Sequence, residues 1–469
     1  MKYFSAALSP TLLMTRAVVA LLLFFALPVV TSAQIQNGEF DSLDGWFRFG
    51  PVDISITDDS YQGGNACQVI NRTVQWHGVA QDVREKFEPG KDYHITSYIK
   101  LLGATDKAVQ LQIKQTDDRG TRYFMIGEIQ ANDSEWTLLE AGFNYQSNGP
   151  TTELLFIFNA SQTNDSEFDF LIDSVDVAEF DWQAAANARI EQFRKRDAEL
   201  TFVDQDGDET GGLEVQVQQV KHHFGFGSAM SHEIEFNPIY QEFFKRHFNH
   251  ATMEYQSQWS AIEAERGVEN YRLADISVEF ARANAIKLKG HALAYPLPFL
   301  LPNWLTPLPA SEIQSEFDER LTNVGSRYAG QLIGWDVVNE MLEEDGLLEP
   351  LGESYRSGAF RRARELDPDA VLSTNEHSLE FSTLKTQRYR KLVEDLVAEG
   401  ADVGLVGLQS HFFDFVSPKG MDLAVSELAE LGIDIYFTEF DITNPDPLER
   451  AKGLENFYRY AFSLSLIHI

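Results

Sequence analysis

The sequence predicts an α/β protein whose main domain is a (β/α)8 TIM barrel, preceded by an all-β jelly-roll or sandwich domain. Its 469 residues are too many for one ordinary domain. Up to about residue 180, short alternating runs are separated by turn-rich segments, which is typical of antiparallel strands. Beyond residue 221, helical segments alternate with short apolar runs, and this alternation is typical of a parallel barrel.

The N-terminus predicts an export signal over residues 1–33. Lys2 and Arg16 supply positive charge, residues 17–30 are apolar, and small residues end at Ala33. A membrane anchor is the alternative, but the stretch is shorter than the roughly 20 apolar residues that span a bilayer. We therefore expect cleavage after Ala33, a secreted protein, and no membrane association after cleavage.

The β-sandwich is predicted over residues 34–180. Residues 109–113 and 154–158 are alternating or apolar runs, and residues 116–120 and 147–150 are rich in turn formers. The barrel is predicted over residues 181–469. Its pattern pairs helices such as 273–284 and 355–366 with apolar strands such as 286–290 and 403–408.

The chain is strongly acidic, with 38 Lys and Arg against 72 Asp and Glu and a net charge of -34. Such a surface repels a polyanion, so nucleic acid is excluded as a partner. A neutral partner fits this charge, and an acidic surface that serves only solubility is the alternative.

Two glutamates end short apolar runs in the barrel region. Glu340 closes the run 332–340, and Glu439 lies in the run 433–441. A parallel barrel gathers the carboxyl ends of its strands at one face, so the two carboxyl groups are expected to share one cleft. Paired carboxyl groups can cleave a glycosidic bond, one as proton donor and one as nucleophile, at roughly 5 to 5.5 Å in a retaining enzyme. Neighbours that could separate their pKa values are Asn339, Gln409, His411 and Asp441.

Six ordered segments carry a resemblance to a known family. They are residues 194–197, 224–229, 290–291, 335–340, 407–411 and 438–442. Residues 189–460 resemble glycoside hydrolase family 10, the endo-β-1,4-xylanases. The resemblance implies that Glu340 is the acid/base and Glu439 the nucleophile. It also implies that Asn339 binds the sugar 2-hydroxyl, and that His411 bridges Glu439 and Asp441.

The same resemblance implies substrate contacts at Glu254, Trp259, His291, Tyr295 and Gln409. For His291, His411 and Gln409, the alternative is a purely structural role. The chain also departs from the family pattern here: Tyr255 and Gln258 stand where the family has an asparagine and a lysine, Tyr295 replaces a tryptophan, and residues 375–377 read Asn-Glu-His for Asn-Asp-Tyr. Substrate preference is therefore less determined than reaction type.

The end of the barrel departs further. Residues 463–469 match nothing expected there, and the Trp-Gly signature of an eighth strand is absent from the sequence. We expect a barrel truncated before strand eight, in which strands one and seven keep unpaired edges. The alternative is closure by a partner chain.

The N-terminal domain resembles carbohydrate-binding modules of families 22 and 4/9. Residues 37–40 with 45–46, 71–78, 89–93 and 171–175 carry this resemblance. It implies sugar contacts at Arg72 and Trp76, with Tyr123 as a further candidate, while Trp46 is expected in the core. A structural calcium ion is compatible with such modules, but no loop has a distinctive ligand pattern.

Together these features predict a secreted, monomeric enzyme that hydrolyses β-1,4-linkages within xylan by a retaining mechanism. No cofactor or metal is expected in the catalytic step. Two alternatives stay open: a barrel glycosidase directed at β-glucan, and a non-catalytic polysaccharide-binding protein whose barrel is incomplete.

Overall fold

The computed structural model of the protein describes residues 35–147, 149–161, 167–219, 222–465 and 467–468. The predicted export signal lies outside the described residues. Among the helices that are described, none is both long enough and apolar enough to span a bilayer.

In its described residues, the N-terminal domain forms ten antiparallel strands in two five-stranded sheets. The strands are β1 (Trp46–Phe49), β2 (Asp53–Thr57), β3 (Ala66–Ile70), β4 (Gly78–Asp82), β5 (Asp92–Leu102), β6 (Lys107–Asp117), β7 (Gly120–Ala131), β8 (Thr137–Asn144), β9 (Glu153–Ala160) and β10 (Asp169–Glu179). One sheet has the order β1-β4-β9-β6-β7 and the other β2-β3-β10-β5-β8. The predicted sandwich is confirmed.

Alternation along the strands builds the sandwich core. In β5, Ile95, Ile99 and Leu101 are buried while the residues between them are only partly covered, except the buried Ser97. Successive side chains of a strand point to opposite faces, so each sheet turns one apolar row toward the other. Phe143 and Phe156 are among the largest side chains that this packing buries completely.

The C-terminal domain is a curled parallel sheet surrounded by helices. Its strands are β11 (Gly227–Met230), β12 (His250–Met253), β13 (Lys287–Ala294), β14 (Gly334–Val338), β15 (Val371–Glu376), β16 (Leu405–Leu408), β17 (His411–Phe412), β18 (Asp434–Phe437), β19 (Asp441–Ile442) and β20 (Ile467–His468). Its helices are α1 (Trp182–Arg194), α2 (Pro238–His247), α3 (Trp259–Ile262), α4 (Arg272–Ala283), α5 (Ala310–Tyr328), α6 (Leu348–Leu351), α7 (Ser354–Leu366), α8 (Thr383–Ala398), α9 (Pro418–Ala429) and α10 (Pro447–Ser463). The main sheet has the order β11-β12-β13-β14-β15-β16-β18-β20, and β17 pairs with β19.

The barrel is incomplete, as expected, although a short strand follows strand seven in the sheet. The two-residue strand β20 runs parallel to β18, with Ile435 paired to Ile467 and Tyr436 to His468. Parallel pairing uses backbone groups, so a segment without the family signature can form it. Within the described residues the ladder ends at β20 and β11, which leaves a curled, open sheet resembling a barrel.

The two domains share a packed interface. Phe415, in the loop before α9, is 6% exposed and belongs to the apolar core of the sandwich. Its ring meets Phe124 and Phe143 edge-on, with centroid separations of 5.5 and 5.2 Å. A barrel residue thus completes the sandwich core.

Polar contacts reinforce this interface. Arg122 of β7 lies 2.6 Å from both Asp117 and Asp414. At the start of α9, the buried Asp92 accepts hydrogen bonds from the Ser417 hydroxyl at 2.8 Å and the Lys419 amide at 2.7 Å. A carboxylate at a helix N-terminus is favourably placed with respect to the helix dipole. The contacts hold the sandwich and the barrel in one fixed arrangement.

Replacing Phe415 by alanine is expected to destabilise the protein by about 3 kcal/mol, because it leaves a cavity in the sandwich core. Phe413→Ala is the matched control, since Phe413 is in the same loop and 70% exposed. Urea unfolding followed by circular dichroism measures both. Equal losses in the two variants would contradict the assignment of Phe415 to the core.

Candidate active site

Glu340 and Glu439 lie just beyond the carboxyl ends of β14 and β18. The backbone amide of Glu340 donates to the Asn375 carbonyl at 3.0 Å, and that of Glu439 to the Gln409 carbonyl at 3.2 Å. Each glutamate is therefore positioned by the end of the neighbouring strand in the sheet. Glu340 has a φ of 51°, so its backbone turns sharply where β14 ends.

Two side chains hold the carboxyl group of Glu340, which is 7% exposed. The Tyr295 hydroxyl donates to its Oε1 at 2.5 Å, and Gln409 Nε2 donates to the same oxygen at 2.8 Å. The pKa of Tyr295 is raised, chiefly by burial and next by the hydrogen bond to Glu340. The hydroxyl therefore stays protonated and acts as a donor. The structure thus brings Tyr295 and Gln409 onto the predicted acid/base.

Glu439 is surrounded by groups that favour its charged form. Asn375 Nδ2 donates to its Oε1 at 2.6 Å, and His411 Nε2 lies 3.5 Å from its Oε2. Burial by itself would raise the pKa of Glu439, but the hydrogen bond with His411 and the charge of His291 outweigh burial and lower it. The carboxylate is therefore ionised near neutral pH.

His411 lies between two carboxylates, in the arrangement that the family resemblance implied. Its Nδ1 is 2.7 Å from Asp441 Oδ2, on the side of the ring away from Glu439. The short parallel pair β17 and β19 sets His411 opposite Asp441. Hydrogen bonds to Glu439 and Asp441 raise the pKa of His411 to about 9 against the opposing effect of burial. The imidazole is thus a cation beside the predicted nucleophile.

A buried charged triad lies beneath the site. Asp336 Oδ2 is 2.8 Å from Lys289 Nζ and 2.9 Å from His291 Nδ1. Burial would raise the pKa of Asp336, but the charges of Lys289 and His291 lower it well below its usual range. Burial would also lower the pKa of His291, but Asp336 and Glu439 raise it. The triad therefore presents positive charge toward Glu439.

Asn339 is completely buried next to Glu340. Its backbone amide donates to the Ala294 carbonyl at 3.0 Å. Neither polar atom of its side chain has a hydrogen-bond partner among the described residues. Since buried polar groups are normally paired, this amide suits a bound hydroxyl.

Asn375 is the partner of Glu439 that the sequence did not assign. The run 375–377 was noted only as a departure from the family pattern, yet Asn375 is fully buried at the end of β15. Its Oδ1 accepts a hydrogen bond from the Thr438 hydroxyl, which fixes the direction of its donor. The sequence signal that could have identified Asn375 was a polar residue at the carboxyl end of a barrel strand.

Next to it, Glu343, Glu376 and His377 form the one group among the described residues close enough to share a cation. Lys385 Nζ lies 3.0 Å from Glu376 and 2.5 Å from Glu343. Because this ammonium supplies the positive charge, the group is an ion-paired cluster that does not fit a metal.

Trp259 does not reach the cleft, which corrects its assignment as a substrate contact. It is 4% exposed, packs against Trp304 and Phe317, and donates to Glu263 at 3.1 Å. Its large apolar ring is better buried in the core of the barrel than exposed.

Glu254 is exposed beyond β12, and no described hydrogen bond joins it to either of the two glutamates.

In the sandwich, the expected sugar contact at Arg72 is also corrected. It is 5% exposed, and its guanidinium donates to the carbonyl oxygens of His77 at 2.7 Å and Gln75 at 3.1 Å. These bonds shape a loop and leave Arg72 inaccessible to a sugar. Trp76 is 49% exposed and stays available, while Trp46 is buried as predicted.

Each of the two domains matches the profile of a known family. The profile of glycosyl hydrolase family 10 matches residues 216–466, and that of a carbohydrate binding domain matches residues 32–166.

Individual relatives are similar over different parts of the chain. Endo-1,4-beta-xylanase 1 of Arabidopsis thaliana is 26% identical over 460 residues, which cover 93% of this chain and 48% of the relative. Anti-sigma-I factor RsgI6 of Acetivibrio thermocellus is 35% identical over 283 residues, 60% of this chain and 37% of the relative. The chain thus spans about half the length, or less, of these relatives. Native xylanase 10B from Thermotoga maritima, a solved structure, is 26% identical with a TM-score of 0.48, covering 52% of this chain and 82% of that one.

Asp441→Asn is expected to lower the pKa of His411 from about 9, because one of its two anionic partners is lost. A histidine with a raised folded-state pKa stabilises the fold below its unfolded pKa of about 6.5, and this stabilisation is lost as pH rises through the folded value. The stability deficit of Asp441→Asn should therefore be largest near pH 6 and shrink toward about pH 9. Urea unfolding of both proteins across this range measures the deficit, and a deficit that grows with pH would contradict the assignment.

Proposed function

Because the chain belongs to glycosyl hydrolase family 10, we propose that it hydrolyses β-1,4-xylosidic linkages within xylan by a retaining, two-glutamate mechanism. The observation that carries the proposal is the unequal environment of the two glutamates. Glu439 is held ionised by His411 and His291, whereas Glu340 is enclosed by the neutral donors Tyr295 and Gln409. Different surroundings for two carboxyl groups are what separate a nucleophile from an acid.

In the first step, Glu340 donates its proton to the glycosidic oxygen while Glu439 attacks the anomeric carbon. The bond between that carbon and the leaving oxygen breaks, and a covalent glycosyl-enzyme forms. In the second step, ionised Glu340 takes a proton from water as the water oxygen attacks the same carbon and releases Glu439. Retention of configuration requires a carboxyl separation of roughly 5 to 5.5 Å, which we expect here.

The neighbours of the glutamates have distinct parts in this scheme. Asn375 and His411 direct the two oxygens of Glu439, and Asp441 keeps His411 charged and oriented. Asn339 binds the sugar 2-hydroxyl, an interaction that strengthens as positive charge develops on the ring. Two carboxyl groups complete the proton transfers and the displacement, so the reaction needs no cofactor or metal in the catalytic step.

The remaining expectations extend this proposal. We assign residues 1–33 to an export signal, 34–180 to a carbohydrate-binding sandwich and 181–469 to the catalytic barrel of a secreted, monomeric enzyme. Trp76 is the exposed aromatic candidate for sugar stacking on the sandwich. A structural calcium ion in the sandwich stays a prediction.

A β-glucan-directed glycosidase is the second candidate, because the chain departs from the family pattern at Tyr255. This residue replaces an asparagine of the family pattern and is 52% exposed beyond β12. Comparing initial rates on arabinoxylan and barley β-glucan distinguishes the two substrates.

Glu439→Ala is expected to lower kcat on xylan by about 1,000-fold or more, because the nucleophile is lost. Glu340→Ala should lower kcat on xylan by roughly 100- to 10,000-fold, yet much less on an aryl β-xylobioside whose leaving group needs no proton. Glu279→Ala is the control, since Glu279 is exposed on the outer helix α4. Full activity of Glu439→Ala on xylan would rule out the proposed mechanism.

Asn375→Ala is expected to lower kcat about 10- to 100-fold with little change in KM, because a hydrogen bond to a charged group is lost at the nucleophile. Thr374→Val is the matched control: Thr374 is buried in the same strand and donates to the Val338 carbonyl, not to either glutamate. Steady-state kinetics with xylan, alongside thermal unfolding, separates the two variants. An equal loss of kcat in both would argue against a specific role for Asn375.

A further inference from the structure

A groove of about 420 Å³ lies where the sandwich meets the catalytic face of the barrel. Strand β7 forms the sandwich wall, and the segments that follow β15 and β17 form the barrel wall. Its lining includes Tyr123 and its two chain neighbours on the sandwich, and Ser378 and residues 413–415 on the barrel.

The barrel wall of the groove continues directly from the residues that hold Glu439. Ser378 follows closely on Asn375, which donates to Glu439 Oε1, and Phe413 follows closely on His411, which faces Glu439 Oε2. The barrel wall of the groove is therefore built from the segments that directly follow the two side chains holding Glu439, on the side of strands β15 and β16. In the sheet order, this side lies away from β12 and Glu254.

Each wall carries an exposed aromatic ring. Tyr123 on the sandwich is 51% exposed, and Phe413 on the barrel is 70% exposed. Exposed rings of this size on two walls of one groove mark a binding site more often than isolated surface residues do.

The chain neighbours of these two aromatics lock the walls together. Arg122 and Asp414 form an ion pair at 2.6 Å, and the rings of Phe124 and Phe415 pack edge-on at 5.5 Å. Both contacts join a residue adjacent to Tyr123 with a residue near Phe413. The spacing of the two exposed rings is therefore built into the domain interface.

The groove suits an uncharged ligand. Its cation Arg122 is neutralised by Asp414 and Asp117, and the chain as a whole carries a net charge of -34, which disfavours anions. The rings of Tyr123 and Phe413 offer apolar faces on which the C–H faces of sugars can stack.

We propose that this groove is a distal subsite for a neutral β-1,4-linked polysaccharide, in which Tyr123 of the sandwich and Phe413 of the barrel stack on sugar rings remote from the cleaved bond. The inference rests on the proposed function. It makes the sandwich part of the substrate cleft itself, in addition to any binding surface at Trp76.

The test compares a long and a short substrate on the chain from residue 34 to 469. Tyr123→Ala and Phe413→Ala are expected to lower kcat/KM on xylohexaose about threefold to tenfold, mainly through KM, because one stacking contact is lost. Both should act as wild type on an aryl β-xylobioside, which is too short to occupy the reaction centre and a distal subsite together. Tyr123→Phe keeps the ring and should retain wild-type kinetics.

Phe243→Ala is the matched control, because Phe243 is 55% exposed on the outer helix α2, away from the groove. Unchanged xylohexaose kinetics in Tyr123→Ala and Phe413→Ala would overturn the proposal, and so would equal losses on the two substrates. Sedimentation that detects a dimer abolished by Tyr123→Ala, with unchanged kinetics, would assign the groove to contact between copies and also overturn it.

Calorimetric titration of xylohexaose separates this inference from the proposed function. It uses Glu439→Ala with and without Tyr123→Ala. If the wild type cleaves neither substrate, the proposed function fails, yet a threefold to tenfold weaker affinity in the double variant would still support the subsite. Equal affinities would overturn it.

Discussion

Gln409 is the residue on which the geometry of the site depends, because it hydrogen-bonds both glutamates. Its side chain donates to Glu340, and its backbone carbonyl accepts from the amide of Glu439. It is 1% exposed, and its own amide donates to the Glu376 carbonyl of the preceding strand. The distance between the two carboxyl groups is thus set by strand pairing in the sheet and by one rigid, buried side chain, and not by a flexible loop.

Around this bridge, charges alternate in sign from the sheet to the cleft. Lys289, Asp336 and His291 lie beneath Glu439, and His411 with Asp441 lies beside it. Isolated charges at the buried Asp336 and His291 would be unfavourable, but every group in this set has an oppositely charged partner within 3.5 Å. The arrangement keeps Glu439 ionised in a partly buried position, where an unpaired carboxyl would take up a proton.

The domain interface also combines buried packing with paired charges. Phe415 of the barrel fills the sandwich core, while ion pairs of Arg122 hold the adjacent chain segments. A ring with no polar atoms secures the interface, and the paired charges fix its register. As a result, sandwich residues keep a constant position relative to the catalytic face, which a flexible tether would not ensure.

The sequence by itself determined the two architectures and the position of the glutamates. Alternation of period two, helical periodicity and the apolar runs that contain Glu340 and Glu439 are local patterns, readable from neighbouring residues. The pairing of His411 with Asp441 was implied by the resemblance of these motifs to those of the family. Only the tertiary structure decided the partners that come from distant strands: Asn375 on Glu439, Phe415 in the other domain, and β20 beside β18. It likewise decided that Trp259 and Arg72 are buried. Such contacts depend on strand register and on packing across the fold, and no local pattern encodes which of several polar or aromatic residues faces inward.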